Sequence, residues 1–187
     1  VNIGIKEAET PFVFLLNNDT LVCKGAVDAL LMAIRQDDRI FSVESKMIQY
    51  QDHGRLDSAG TYYNALGWAF ARGKDEPAVR YQKKADSFAA CGGASIYRKK
   101  AFADIGYFDE EHFAYLEDVD IGYRARIFGW RNVYEPKARI IHVGSAASGS
   151  RYNEYKVRLT ARNNLYMIYK NMPTVQNFFN MPFLAPG

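Results

Sequence analysis

Pro11-Phe12-Val13-Phe14-Leu15-Leu16-Asn17-Asn18-Asp19-Thr20 is the stretch that decides the fold class. An unbroken apolar run between Pro11 and an Asn-Asn-Asp turn lacks the alternation of a half-solvated strand. It reads instead as a buried strand of a parallel sheet. Open α/β sheets gather ligands at the C-terminal ends of their strands, which is where Asn17, Asn18 and Asp19 stand. Residues 25–36 follow as an amphipathic helix, with Val27, Leu30, Leu31 and Ile34 on one face. Outward from there, strands are expected at 40–43, 47–50, around Tyr62 and Trp68, and at 88–91, 95–98, 132–134 and 138–143. Helices are expected at 100–105, 117–128 and 153–170, with Gly106, Gly129 and the Asn171/Pro173 pair as stops. Residues 73–78 read as a polar loop and 144–150 as a small-residue loop able to close over a ligand. Strands alternating with helices predict an α/β class, with a Rossmann-like, mostly parallel sheet flanked by helices. Residues 1–187 are expected to form one domain, with 174–187 as an apolar tail.

Bulk properties narrow the function classes. A chain of 187 residues, 48% of them apolar, can bury a core and is not disordered. A net charge of +3 is too weak to argue for nucleic acid, yet it is compatible with peripheral contact at an anionic membrane. Cys23 and Cys91 form neither a disulfide framework nor a metal motif, so reduced thiols in a cytoplasmic setting are the expectation. No run of 18 apolar residues occurs. The 13 Tyr and 12 Phe suit either a core or a groove for a sugar-like ligand.

Several constellations carry chemistry, and each has a plainer reading. Asp19 after a buried strand can hold a divalent cation against a diphosphate, or simply form a turn. Glu117-Asp118-Val119-Asp120 supplies carboxylates for a general base, or acidic residues that oppose a helix dipole. His142 ends an apolar strand, as a metal ligand or as a structural histidine. Gly92-Gly93 lets backbone approach a ligand, or makes a tight turn. Arg158 and Arg162, four apart on the last helix, share a face that suits phosphates or water equally.

Taken in order, these pieces resemble a family 2 glycosyltransferase of the GT-A fold, most like its rhamnosyltransferase-type members. The carriers are Asn2-Ile3-Gly4-Ile5, Leu15-Leu16-Asn17-Asn18-Asp19-Thr20, Asp57-Ser58-Ala59-Gly60 and Gly92-Gly93-Ala94-Ser95. With them go Gly106-Tyr107-Phe108-Asp109-Glu110, Glu117-Asp118-Val119-Asp120, Gly129-Trp130, His142 and Arg162-Asn163. The resemblance implies that Asn17-Asn18-Asp19 occupies the family's DxD position, with Asn17 where the first Asp is expected. Asp19 is then a metal-binding carboxylate and Asp118 the catalytic base, with Glu117 beside it. His142, 24 residues after Asp118, stands where related enzymes carry a metal-binding histidine. Asn17, Asn18, Gly92, Gly93, Arg158 and Arg162 fall to the donor.

The implied reaction is inverting transfer of a hexose, dependent on Mg²⁺ or Mn²⁺, in cell-surface polysaccharide synthesis. The donor is a nucleoside-diphosphate sugar of UDP or dTDP type, and the acceptor a glycan or lipid-linked hydroxyl. The setting is the cytoplasm, at the inner face of the membrane. The family opens with a strand–helix–strand unit before the Asn-x-Gly segment, so this chain is expected to be a fragment with half its donor pocket, and its activity as it stands is left open. A metal-dependent phosphohydrolase needs a second metal cluster, which a chain with three histidines hardly supplies. A non-catalytic carbohydrate-binding module binds sugar without nucleotide.

Overall fold

The computed structural model describes residues 1–144 and 154–184, leaving most of the 144–150 loop outside the described residues. A short helix α1 (Asn2–Glu7) precedes β1 (Phe12–Leu16) and β2 (Thr20–Val22). Helix α2 (Ala26–Ile34) leads into the long strand β3 (Ile40–Gln49), followed by β4 (Leu56–Ser58), β5 (Thr61–Tyr63), β6 (Ala69–Ala71) and β7 (Ala85–Ser87). Then come β8 (Ala94–Arg98), α3 (Phe102–Ile105), α4 (Glu117–Ile127), β9 (Arg131–His142), α5 (Glu154–Asn171) and α6 (Thr174–Leu184). Most of the expected apolar tail is thus helical.

The main sheet runs β1-β8-β3-β9-β2, with β4 added to β3 and β7 to β9, and β5-β6 is a separate hairpin. The expected α/β class holds, but the sheet is mixed rather than mostly parallel. Among the described pairings only β3 with β9 is parallel, because β8 inserts antiparallel between β1 and β3. β1 is not the buried parallel strand expected. It stands at the sheet edge, pairs only antiparallel with β8 and is half-buried with Leu16 exposed, and its apolar run reflects partial packing on two faces. Phe12 and Phe14 join the core under α2, with Leu30, Ile34 and Ile96. Val13 and Leu15 join the opposite core, with Ile5, Phe102 and Ile121 from α1, α3 and α4.

Two pairs of expected strands merge across irregularities. β3 continues through 44–46. Opposite it, β9 skips from Glu135, paired with Ser45, to Arg139, paired with Lys46. Pro136 has no N–H for the ladder, so the three residues between bulge out and the strand resumes. The expected strand 88–91 lies outside the sheet, which β7 leaves after Ser87. There Asn132 Nδ2 donates to the Phe88 carbonyl at 2.6 Å, and the Phe88 ring stacks on Tyr63 at 4.6 Å. A side-chain amide has replaced the ladder.

Gly106 and Gly129 end α3 and α4 in the left-handed region, with φ of 76° and 81°. Among the described residues no helix is long and apolar enough to cross a membrane.

Candidate active site

Strand ends converge on one edge of the sheet. The chain turns sharply after β1, with Asn17 N donating to the Gly93 carbonyl at 2.8 Å and Thr20 Oγ1 donating to the Asn17 carbonyl at 2.6 Å. The turn reading of Asn17–Asp19 is therefore correct, and the turn also presents Asp19. Val143 N donates to the Asp19 carbonyl at 2.9 Å, which pins this turn against the end of β9. His142, the last residue of β9, pairs with Thr20 on one side and Gln49 on the other.

The His142 ring bridges two carboxylates. Its Nε2 lies 3.4 Å from Asp19 Oδ1 and its Nδ1 lies 2.7 Å from Asp57 Oδ2. Lys74 Nζ binds the other oxygen of Asp57. Burial opposes ionisation of Asp57, but the His142 and Lys74 hydrogen bonds outweigh it and lower its carboxyl to about 2. An ionised carboxylate only accepts, so Nδ1 carries the proton toward Asp57 and a neutral ring turns its Nε2 lone pair toward Asp19. The Asp57 bond raises the affinity of His142 for a second proton, against burial. Asp57 reaches this position as the extra residue of a bulge, since Leu56 and Ser58 pair with the adjacent Ile48 and Met47.

The donor set suits a hard or borderline divalent cation, with one carboxylate oxygen and one oriented imidazole nitrogen. Donors about 2.1 Å from an octahedral ion lie about 3 Å apart, close to the observed Asp19–His142 separation. Asp109, His112 and Asp120 also lie within ligand distance of one another. There the Lys170 ammonium already sits 2.6 Å from Asp109 and 3.1 Å from Asp120, with Arg124 at 2.8 Å from Asp120. That cluster carries its own cations, and it ties α4 to α5.

Asp118 occupies the first turn of α4. Its Oδ2 accepts from Gly92 N at 2.9 Å and its Oδ1 from Val119 N at 2.8 Å. Burial raises the Asp118 carboxyl above the usual range, against these two amides. Neighbouring Glu117 is pushed to about 7 by burial and by the charge of Asp118. Among the described residues its buried Oε2 has no hydrogen-bond partner. Two carboxyls this close do not both ionise freely, which keeps a proton available at the site near neutral pH. Gly93, not Gly92, is the glycine that the tight packing here requires. A Cβ at Gly92 would lie 3.7 Å from Asp118 Cβ, and one at Gly93 would press Asn17 Nδ2 at 3.2 Å.

Asn17, Asn18, Asp19, Gly92, Gly93, Glu117, Asp118 and His142 all line one cleft of about 960 Å³, with Phe113 and Tyr115 on its wall. Arg158 and Arg162 are not in that lining. They flank a separate depression on α5, where Arg158 pairs with Glu154 at 3.5 Å and Arg162 donates to the Glu111 carbonyl at 2.8 Å. From α5 it is Lys156 that reaches the cleft.

Two site carboxylates escape a reading of the chain alone. Asp57 looks like a turn residue. Glu44 opens the polar stretch Glu44-Ser45-Lys46 between two expected strands, and only the assembled sheet brings it to the Cys91 amide at 3.1 Å.

The fold is that of GT-A glycosyltransferases. GalNAc-T7, solved with UDP, GalNAc and Mn²⁺, is similar at a TM-score of 0.66 and 16% identity, over 90% of this chain and 33% of that one. The mannosyltransferase PcManGT from Pyrobaculum calidifontis, solved with GDP-Man and Mn²⁺, is similar at 0.56 and 11%, over 90% and 41%. In sequence the chain is 31% identical over 150 residues to N-acetylglucosaminyl-diphospho-decaprenol L-rhamnosyltransferase of Mycobacterium tuberculosis, covering 74% of this chain and 48% of that protein. It is 25% identical over 141 residues to poly-beta-1,6-N-acetyl-D-glucosamine synthase of Staphylococcus aureus, covering 74% and 32%. The chain thus spans half or less of the length of these relatives. Residues 1–164 match the family described as glycosyltransferase like family 2, and the chain belongs to that family.

Proposed function

We propose that this chain carries the catalytic centre of an inverting hexosyltransferase acting in cell-surface polysaccharide synthesis. The carrying observation is that the carboxylate pair Glu117/Asp118 and the oriented pair Asp19/His142 line the same cleft. The relatives support the reading: one is named a rhamnosyltransferase and another a polysaccharide synthase. The proposed donor is a nucleoside-diphosphate sugar of UDP or dTDP type. The proposed acceptor is a hydroxyl of a glycan or of a lipid-linked sugar, which would bring the reaction to a membrane face.

Asp118 takes the proton of the attacking acceptor hydroxyl while that oxygen displaces the diphosphate in line, as the base does in inverting glycoside hydrolysis. Its raised proton affinity favours this step, since burial makes it a stronger base than an ordinary carboxylate. Asp19 and His142 hold Mg²⁺ or Mn²⁺, whose chemistry when bound is to neutralise charge on the diphosphate. Asp57 fixes the ring of His142 for that purpose. Asn17, Asn18 and the Gly92-Gly93 backbone line the donor side.

The test is Asp118→Asn in the protein, with sugar transfer and donor binding measured together. Transfer should fall about 10²- to 10⁴-fold with donor affinity preserved. Unchanged transfer rates would remove the base assignment. Titration with UDP, GDP and dTDP, with and without Mn²⁺, should show metal-dependent nucleotide binding, whereas sugar binding without nucleotide would favour a carbohydrate-binding module.

A further inference from the structure

The segment in front of Asp118 has a backbone its own sequence disfavours. Phe113, Tyr115 and Leu116 have φ of 59°, 68° and 67°, and none is glycine. Such conformations persist only where surrounding structure imposes them. Burial does not impose them at Phe113, which is 81% exposed, and Tyr115 and Leu116 are only half-buried. Nor does a local cap, because Leu116 stands at the N-cap of α4 and offers no capping side chain.

At Phe113 a local tie contributes, Ala114 N donating to the His112 carbonyl at 2.6 Å across a tight turn; the rest of the constraint comes from α5. Asn163 is fully buried, and its Nδ2 donates to the carbonyls of His112, Ala114 and Tyr115, each at 2.8 Å. Two amide hydrogens serve three carbonyls, so at least one is shared, and the site is saturated. The Asn163 Oδ1 accepts from Arg162 Nη1 at 3.1 Å, which fixes which face of the amide points at the loop. Farther along, α5 is bolted to α4 by Asn171 Nδ2 donating to Asp120 at 2.7 Å.

We infer that Asn163 is a positioning residue for the catalytic base: it clamps the left-handed 113–116 backbone, and so sets the start of α4, the aim of Asp118 and the aromatic wall formed by Phe113 and Tyr115. This rests on the reading of Asp118 as base. The hydroxyl substrate and Asp118 meet across the wall that Asn163 holds, so loosening the clamp moves the base relative to the acceptor while leaving the donor side, on β1, β8 and β9, in place.

The experiment is Asn163→Ala, with transfer kinetics, nucleotide affinity and amide hydrogen exchange measured together. The expected result is a fall in kcat of tenfold or more, nucleotide affinity within about twofold of wild type, and faster exchange confined to residues 113–120. Adding Leu116→Gly should recover part of the lost kcat, because glycine adopts that φ without help. Wild-type kcat together with wild-type exchange at 113–120 would overturn the inference, as would exchange accelerated throughout the chain. If the alanine variant does not fold, Asn163→Ser, which keeps one donor, is judged by the same outcomes. Asp118→Asn is run alongside. Wild-type transfer there removes the base assignment, while the exchange data still judge the clamp on its own.

Discussion

Glu44 and Asp118 are held by consecutive amides of one loop. Cys91 N donates to Glu44 Oε2 at 3.1 Å and Gly92 N donates to Asp118 Oδ2 at 2.9 Å. Ser58 Oγ and Gly60 N bind the other oxygen of Glu44, at 2.5 and 3.2 Å. Both oxygens of Glu44 therefore accept, and a glutamine offers one acceptor only. Glu44→Gln should leave the buried Cys91 amide or the Ser58 pair unsatisfied and cost about 1–3 kcal/mol, read from denaturant midpoints. Asp57 invites a different test. It orients His142 through charge and geometry together, and Asp57→Asn keeps the shape without the charge. Apparent Mn²⁺ affinity should weaken about 10- to 100-fold in nucleotide-binding titrations, while an unchanged value would detach Asp57 from the proposed Asp19/His142 metal site. These two residues mark a limit on what local sequence reveals. Asp19 and Asp118 were legible because their surroundings are local, a strand end and a helix start. Glu44 and Asp57 gain meaning only from the pairing of β3 with β4 and from the loop that β8 brings alongside.

Helix α4 can carry Asp118 accurately because it lies almost flush against the 88–91 segment. Gly122 makes that possible, since a Cβ there would come within 2.7 Å of the Ala89 backbone. Its carbonyl also accepts from Asn132 Nδ2 at 3.1 Å, which fixes the helix to β9. Gly122→Ala should push α4 outward, costing about 1–3 kcal/mol and lowering kcat as Asp118 shifts. Gly129→Ala is the matched control. Its φ of 81° strains any side chain, yet nothing lies within 4 Å of the added Cβ. It should cost about 1–2 kcal/mol and leave kcat unchanged. Equal losses of kcat in the two variants would mean that α4 placement does not govern the proposed base, Asp118. At this scale the helices were the more legible elements, because their 3.6-residue spacing and glycine stops are written locally. Strand continuity was not: the bulge at Pro136 and the side-chain substitution by Asn132 at Phe88 are settled by partners far along the chain. The antiparallel insertion of β8 is likewise a matter of pairing.

Across the whole molecule, the shifted carboxyls set opposing dependences of stability on pH. Burial works against the ionised form of Asp109, but Lys170, the Glu111 amide and Tyr166 prevail, and its carboxyl falls to about 2, like that of Asp57. Their stabilisation is present above the ordinary value of 3.8 and is lost as pH falls through about 2. Glu44, fully buried, and Glu117 are both pushed to about 7. Their contribution is complete below 4.5 and disappears as pH rises through about 7. Asp118 and His142, both raised, act in the same direction as these. His112 opposes them, because burial lowers its proton affinity and stability from it grows as pH rises toward 6.5. Three raised carboxyls and His142 outweigh one histidine, so the fold should be most stable near about pH 4–5 and weaken on either side. Urea midpoints measured from about pH 3 to pH 8 check this curve, and a midpoint that climbs steadily to pH 8 would contradict it. Glu44→Gln separates the causes: glutamine does not ionise, so the decline between about pH 5 and pH 7 should become shallower while the acid-side loss, which belongs to Asp57, Asp109 and the lowered Asp37, stays as steep as in the wild type.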